Sequence, residues 1–554
     1  MKIVQYYQTI RHLKWVQIRY RIWYQIKRRL IELGWQNERF RRIQDVEVYP
    51  VAPQKCHCRV SSNRLSELRK GKFTFLNESR EFKGEIEWHR DDLNEGTRLW
   101  KLNLHYHEFL VDALEAWKQG DVHALQFIQQ TVSDWIEKNA LGRKKFSRDH
   151  WNSYCISLRL MAWVKVLSAC RNEFGDSFMK QWISSAKNQA DFLYENLEYD
   201  IQGNHLMENA FGLLNVAIFF RSQAFYNRAT KLLDRELSIQ ILEDGAHFEL
   251  SPMYHSIIAQ RLLDSVHLLE RDTWKDHDKI LTKLRTKAAL MMGWLDQITN
   301  QGKELPLLND AANGVAPSPG QLFRYAETLG IEKKHVSLGV SGYRILENQR
   351  LRVLVDVGPV GPDFIPGHAH ADSLQILCWI DEKPFLVDTG TSLYNPGAIR
   401  DRERSTSSHN TVSIRDCSSS QMWSSFRVAS RARTKIEKEE GNVIMASHDG
   451  YLRYAVTHQR LVEFEGCGIG IEDRLLNAES TETGTAYLHF HPDVDISMNG
   501  NQLVWGDVSI SFENHVELTL EEYQYAPQFN QRIPARKAVV TFGHTLKTII
   551  RPNS

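Results

Sequence analysis

Residues 367–414 read GHAHADSLQILCWIDEKPFLVDTGTSLYNPGAIRDRERSTSSHNTVSI. Within this stretch the runs SLQILCWI, PFLVDTG and HNTVSI are short, rich in β-branched and aromatic residues, and punctuated by Gly, Asn, Asp and Pro. That texture predicts strands of an antiparallel sheet rather than alternating βα units. It extends outward from about Val340, through YRILENQRLRVLVDVG, to NVIMASHDG, LVEFEGCGIGIEDRLL, AYLHFHP, VSISFENHVELTLEEY and AVVTFG. A β-sandwich is expected there.

Upstream the period changes. From about Leu99 to Leu329 the segments HEFLVDALEAWKQ, ALQFIQQTVSDWIEKN, SYCISLRLMAWVKVLSAC and KQWISSAKNQADFLYENL carry helical periodicity and are joined by short polar connections. Helices so joined pack antiparallel to their neighbours, and the lack of a fixed sequence period favours a closed or irregular array of hairpins over an open solenoid. The turn-rich segment QGKELPLLNDAANGVAPSPG, residues 301–320, lies near the junction, so a functional cleft is expected between the two halves. The resulting division is a lead-in segment over 1–90, a helical domain over 91–335 and a β domain over 336–554.

A chain of 554 residues exceeds what one core organises, and 42% hydrophobic with 25% charged residues fits globular domains throughout. The net charge of +1 excludes the whole protein as an electrostatic collector of nucleic acid, so anion binding must be local. Seven dispersed cysteines, Cys56, Cys58, Cys155, Cys170, Cys378, Cys417 and Cys467, read as reduced thiols rather than a disulfide framework. The sequence shows no apolar run of the roughly 18 to 20 residues that span a bilayer and no signal-peptide h-region, which gives a cytoplasmic expectation. The first thirty residues stand apart, with eight Lys and Arg and no acid before Glu32. Ile18, Ile22, Ile26 and Leu30 recur at i+4, so this basic helix either packs on the body of the protein or makes peripheral contact with a membrane surface.

Four groups of residues carry chemistry. In GNHLMENAFGLL, Asn204 and His205 follow a turn glycine at a helix start, where free N–H groups and partial positive charge suit a carboxylate ligand; the plainer reading makes Asn204 an N-cap. In GAHFELSPMYHSIIAQRLLD, Ser251 and Pro252 open a helix with Tyr254 and His255 on its first turn, and a phenol there needs nearby cations to act as a base. His368, His370 and Asp372 share one side of an extended segment; His370, Asp388 and His409 form either a first-row metal set or a hydrogen-bonded network ordering the loop. Arg400 and Arg404, in a mixed-charge loop beside Tyr394, suit a clamp on a carboxylate or sulfate.

Taken together, LWKLNLHYHEFL, HWNSY, GNHLMENAFGLL, ELSPMYH, GHAHADSL, PFLVDTGTSLY and RSTSSHNTV resemble the heparinase II/III-like polysaccharide lyases, in order and across both halves of residues 90–430. The resemblance implies an incomplete α/α toroid followed by an antiparallel β-sandwich, and cleavage of acidic, uronate-containing polysaccharides by β-elimination. It implies that Asn204 and His205 neutralise the uronate carboxylate while Tyr254 and His368 share the acid and base roles, His368 filling the role complementary to Tyr254 or lowering its pKa. Trp100, Asn103, Asn152 and His255 fall in its matching segments as substrate contacts, with Arg400 and Arg404 alongside. It further implies a structural Zn2+ or similar ion held by His370, Asp388 and His409. Degradative members are commonly exported, so the missing export signal points equally to a role beside capsule or exopolysaccharide synthesis, including a non-catalytic glycan-binding or polymer-assembly protein. A third reading is a hydrolase using the metal set to activate water.

Overall fold

The computed structural model describes residues 2–34, 40, 43–49, 51, 62–89, 98–141, 149–300 and 303–552. The domain limit expected at 90/91 and the cysteines Cys56 and Cys58 lie outside these residues; the five described cysteines are free thiols.

Four helical hairpins form the first half: Phe109–Lys118 with His123–Lys138, Ser153–Cys170 with Asp176–Glu195, Gly203–Phe219 with Gln223–Gln240, and Pro252–Arg271 with Asp278–Ile298. The first helix of each pair packs against the first helix of the next, and the returning helices lie outside them, so the array has an inner and an outer layer. Burial explains which is which. Nearly every position of Ser153–Cys170 and Gly203–Phe219 is buried, including Trp163, Leu167, Phe211 and Leu214, whereas the outer helices bury one stripe. The stretch Ser153–Glu173 is the one helix among the described residues long and apolar enough on average to cross a membrane, but Arg159 and Lys165 interrupt it and its apolar window is 78% buried in the inner layer. Because an outer helix separates each inner pair, the inner helices run parallel. Their N-termini, capped or opened at Asn152, Gly203 and Ser251, therefore gather at one end of the array.

The second half is two packed antiparallel sheets. A four-stranded sheet holds Tyr343–Glu347, Leu351–Asp356, Ile376–Ile380 and Lys383–Leu386 in sequence order, and a ten-stranded sheet is centred on the long strands Val508–Tyr525 and Ile533–Pro552. Val353, Val355, Cys378 and Phe385 share one core with Ile444, Val462, Ile471, Val540 and Ile550 of the larger sheet. Leu354 and Leu377 point the other way, into a second cluster with Ala246, Leu250, Trp294, Ile298 and Leu308 of the helical half. The small sheet is thus covered on both faces, which is why Leu351–Asp356 is almost continuously apolar instead of alternating.

The helix Trp15–Glu32 lies across this junction. Gln17 Nε2 donates to the carbonyls of Ile201, at 3.2 Å, and Phe364, at 3.3 Å, while the Tyr24 hydroxyl and Lys27 Nζ donate to the carbonyls of Leu197 and Glu195. Its buried line is Gln17, Tyr24, Lys27 and Ile31, so the Ile18, Ile22, Ile26 and Leu30 stripe is not the packed face. The reason is polar: the end of Asp176–Glu195 and the loop after it present carbonyls that need donors, and Gln, Tyr and Lys supply them.

Trp294 anchors the inter-domain cluster, with no solvent exposure and its indole N–H on Ser341 Oγ at 3.3 Å. Trp294→Ala is expected to cost about 3 to 5 kcal/mol, read as a lower denaturant midpoint in equilibrium unfolding.

Candidate active site between the two domains

Ser251 caps the helix Pro252–Arg271, accepting from the Tyr254 N–H at 3.4 Å, and Pro252 takes the first helical position, so the sequence dictates where Tyr254 emerges. The Tyr254 ring stacks on the His368 ring at 3.8 Å between centroids and 27° between planes. The two residues come from different domains. The Tyr254 hydroxyl is 3.3 Å from that of Tyr394, which closes the other side of the stack.

His368 is held by a residue that the sequence reading did not single out. Asp310, fully buried in the junction segment, faces His368 Nδ1 at 3.0 Å and His370 Nε2 at 2.9 Å, and Arg400 donates to both of its oxygens. Burial by itself pushes the Asp310 carboxyl up, but Arg400 and the two imidazoles hold it well below the usual carboxylate range. It is therefore an ionised acceptor, toward which Nδ1 of His368 presents its N–H. Burial lowers His370 to about 4 against the pull of Asp310, so His370 is neutral. Only the segment's turn-former content and its Asn-Asp pair between apolar residues could have pointed to Asp310.

Glu249 is the second residue missed. Its carboxylate, buried, accepts from the Asn204 N–H at 2.9 Å and Asn204 Nδ2 at 2.7 Å, and lies 3.6 Å from His368 Nε2. The helix starts at Gly203, so Asn204 sits inside its first turn and does not cap it. Gly203 has φ +57°, and a Cβ there would come within 2.3 Å of Glu249 Oε1 and 2.8 Å of Ile365 Cδ1, so the glycine of the motif is required by this close approach. His205 Nδ1 is 3.1 Å from Glu198 and its ring lies 4.5 Å from that of Tyr154. Burial lowers its pKa, but Glu198, with Glu249 and Asp200, raises it overall above the ordinary histidine value.

Tyr254 does not have the cationic surroundings that a tyrosine base needs. Burial first, then the Tyr394 hydroxyl and the charges of Asp310 and Glu249, push its phenol well above its ordinary value.

Several expected substrate contacts turn inward. Arg400 spends its guanidinium on Asp310 and the Ser425 carbonyl, and Arg404 donates to the Ala369 carbonyl, at 2.9 and 3.1 Å, and to that of Ser424; both are fully buried. Arg404 braces the backbone of the His-Ala-His motif, and Arg400 braces the carboxylate that holds its two imidazoles. Burial and then the Arg400 charge lower Arg404 to about 9. His255 is buried between the His247 N–H, the Met291 carbonyl and Trp294, and burial lowers it to about 3. Trp100 is buried with its indole N–H on the Glu78 carbonyl, Asn103 bonds back to Leu99 within its helix, and Asn152 accepts from the N–H groups of Tyr154 and Cys155 as an N-cap. Asn152 lines a recess together with Glu198 and Asp200.

Two of the three expected metal ligands, Asp388 and His409, lie together with Asp372. Among the described residues, the one group whose ligand atoms all lie within 4.8 Å of one another is Asp372, Asp388 and His409. His370 stands outside that group: its Nε2 meets Asp310 and its ring is 5.3 Å from that of His409, while its Nδ1 is buried without a hydrogen-bond partner. His409 Nδ1 meets Asp388 Oδ2 at 2.9 Å while Nε2 is buried without a hydrogen-bond partner. Burial, with His409 opposing and Asp388 reinforcing, raises Asp372 to about 6. Two neighbouring buried carboxylates with an unsatisfied imidazole nitrogen fit a divalent cation.

Residues 36–323 match the family described as Heparinase II/III N-terminus, and residues 331–551 that described as Heparinase II/III-like, C-terminal. A heparin-sulfate lyase of Bacteroides stercoris is 22% identical over 456 residues, covering 73% of this chain and 66% of that protein, just under two thirds of its length. A solved structure of heparinase III aligns with a TM-score of 0.71 at 18% identity over 93% of this chain and 88% of that one. The heparan sulfate lyase HepC of Pedobacter heparinus aligns with a TM-score of 0.59 at 18% identity, over 94% and 88%. These likenesses establish the fold as a helical toroid followed by an antiparallel β-sandwich.

Removing one partner of a buried ion pair strands the other. Arg400→Met is expected to destabilise by about 3 to 5 kcal/mol, whereas Arg402→Met, on an exposed neighbour, stays within about 0.5 kcal/mol. Thermal denaturation of the two variants distinguishes this bracing role from a substrate clamp, which would raise KM at unchanged stability.

Proposed function

Because the chain belongs to the heparinase II/III family, we propose that it is a polysaccharide lyase that cleaves uronate-containing glycans by β-elimination in the cleft between its domains. The observation that carries this reading is the Tyr254 and His368 stack at 3.8 Å, assembled from both domains beside Asn204 and Glu249.

Elimination removes the C5 proton of the uronate, forms the C4–C5 double bond, breaks the C4–O4 bond and returns a proton to O4. The C5 proton becomes acidic only when the carboxylate charge is countered. In this reading the second amide hydrogen of Asn204 and Nε2 of His205 face that carboxylate, at the positive end of the helix Gly203–Phe219. The raised His205 pKa favours its charged form there. His368, its Nδ1 oriented by Asp310, offers Nε2 to the C5 proton. Tyr254, whose phenol is held protonated, donates to O4. The parallel N-termini of three inner helices supply the local positive potential that the near-neutral net charge does not.

The cluster Asp372, Asp388 and His409 would hold a divalent ion such as Zn2+, whose charge offsets the two carboxylates and steadies the segment carrying His368. All three residues are buried, which favours a structural ion over one that activates water for hydrolysis.

Incubation with a panel of acidic glycans should yield the ultraviolet absorbance of an unsaturated uronate, and Tyr254→Phe should lower kcat by about 100- to 10,000-fold. Glycan binding that survives Tyr254→Phe in a protein giving no unsaturated product from any glycan would instead identify a binding or polymer-assembly protein. For the metal, calorimetric titration with Zn2+ should show affinity reduced at least about tenfold in Asp372→Asn and largely kept in His370→Asn; the reverse ranking would restore the set expected from sequence.

A further inference from the structure

The first 33 residues contain a surface that the cleft does not use. Among the described residues, ten of the twenty exposed large hydrophobic side chains lie between Ile3 and Leu33. On the helix Trp15–Glu32 and the residue after it, Trp15 is 75% exposed, Ile22 58%, Ile26 48% and Leu33 83%. With Arg19 and Arg29, these positions recur at i+3 and i+4, on the side of the helix opposite Gln17, Tyr24 and Ile31. The helix Lys2–Ile10 repeats the pattern with Ile3, Tyr7 and Ile10 exposed, while Thr9 accepts from the Trp423 indole N–H on the body. Both helices are therefore anchored by one face and turn an apolar, aromatic face outward.

The charge on that outer face selects its partner. Arg11, Lys14, Arg19 and Arg29 are exposed among the hydrophobic residues, and no acidic residue occurs before Glu32. A second copy of the chain would bring this basic surface against an identical basic surface. An anionic lipid surface supplies both complements: headgroup charge for the arginines and an acyl boundary for Trp15, Ile22, Ile26 and Leu33.

We propose that the outward face of the first 33 residues docks the protein on an anionic lipid bilayer. The packed face of the same helix bonds the Ile201 and Phe364 carbonyls, three residues before Asn204 and four before His368. Docking thus holds both walls of the cleft beside the bilayer. The inference is independent of what the cleft cleaves.

The test is flotation of the full chain with vesicles of phosphatidylcholine, alone or mixed with phosphatidylglycerol. Binding is expected to the anionic vesicles only and to weaken with added salt. Trp15→Ser/Ile22→Ser/Ile26→Ser should lower vesicle affinity by roughly tenfold or more, with an unchanged melting temperature because these side chains are exposed. Arg19→Gln/Arg29→Gln should lower it and flatten its salt dependence, an arm that remains decisive if the serine variant misfolds. Absence of binding, equal binding to both vesicle types, or full binding by the variants overturns the proposal. So does a dimer in size-exclusion chromatography that the serine variant splits.

Discussion

Asp310 is a carboxylate without solvent contact that lies against Arg400, His368 and His370 at once. An ionised group in that setting persists only if its desolvation is offset by well-aligned donors, and four nitrogens from the β domain supply them. Its main chain is tied as firmly: its N–H donates to the His368 carbonyl at 3.0 Å, and its carbonyl accepts from Ser251 Oγ at 2.8 Å. Ser251 is also the cap that sets where Tyr254 leaves its helix. One residue of the junction thereby positions both halves of the Tyr254 and His368 stack.

The same low dielectric acts on Tyr254. Burial, then the Tyr394 hydroxyl and the charges of Asp310 and Glu249, push its phenol well above the ordinary value. Glu249 has a complementary role. It satisfies the backbone and amide donors of Asn204 at the start of an inner helix, in space that exists because residue 203 is glycine. The positive end of that helix is thus partly answered by the protein itself.

Helical hairpins and antiparallel strands were legible because their periods differ and because both sides of the change at Val340 are long. Ser251, Pro252 and Tyr254 could be placed because capping chemistry is local. What local pattern does not carry is which way a polar side chain turns. Arg400 and Arg404 read as a ligand clamp from their mixed-charge neighbourhood, yet a buried carboxylate ninety residues from Arg400 and the Ala369 carbonyl draw them inside. The same distant carboxylate takes Nε2 of His370, and Asp372 joins Asp388 and His409 in the one close group of metal-ligating side chains among the described residues. The helix Trp15–Glu32 is the sharpest case: hydrophobicity alone favours Ile22 and Ile26 as the packed face, but unpaired carbonyls on the body select Gln17 and Lys27.

The walls of the cleft are therefore not two bodies that merely touch. The apolar cluster of Trp294, Leu354 and Leu377 joins them by area, Asp310 joins them by charge, and Gln17 joins them by bonding one carbonyl on each side. These bonds differ in their sensitivity to opening. Apolar area is lost gradually as the surfaces part, whereas the hydrogen bonds of a buried carboxylate to Arg400, His368 and His370 are lost within about the first ångström. Opening far enough to misalign Tyr254 and His368 thus breaks the hydrogen bonds of Asp310 first. The arrangement favours a cleft assembled before substrate arrives, in which binding need not supply the orientation of the reacting groups.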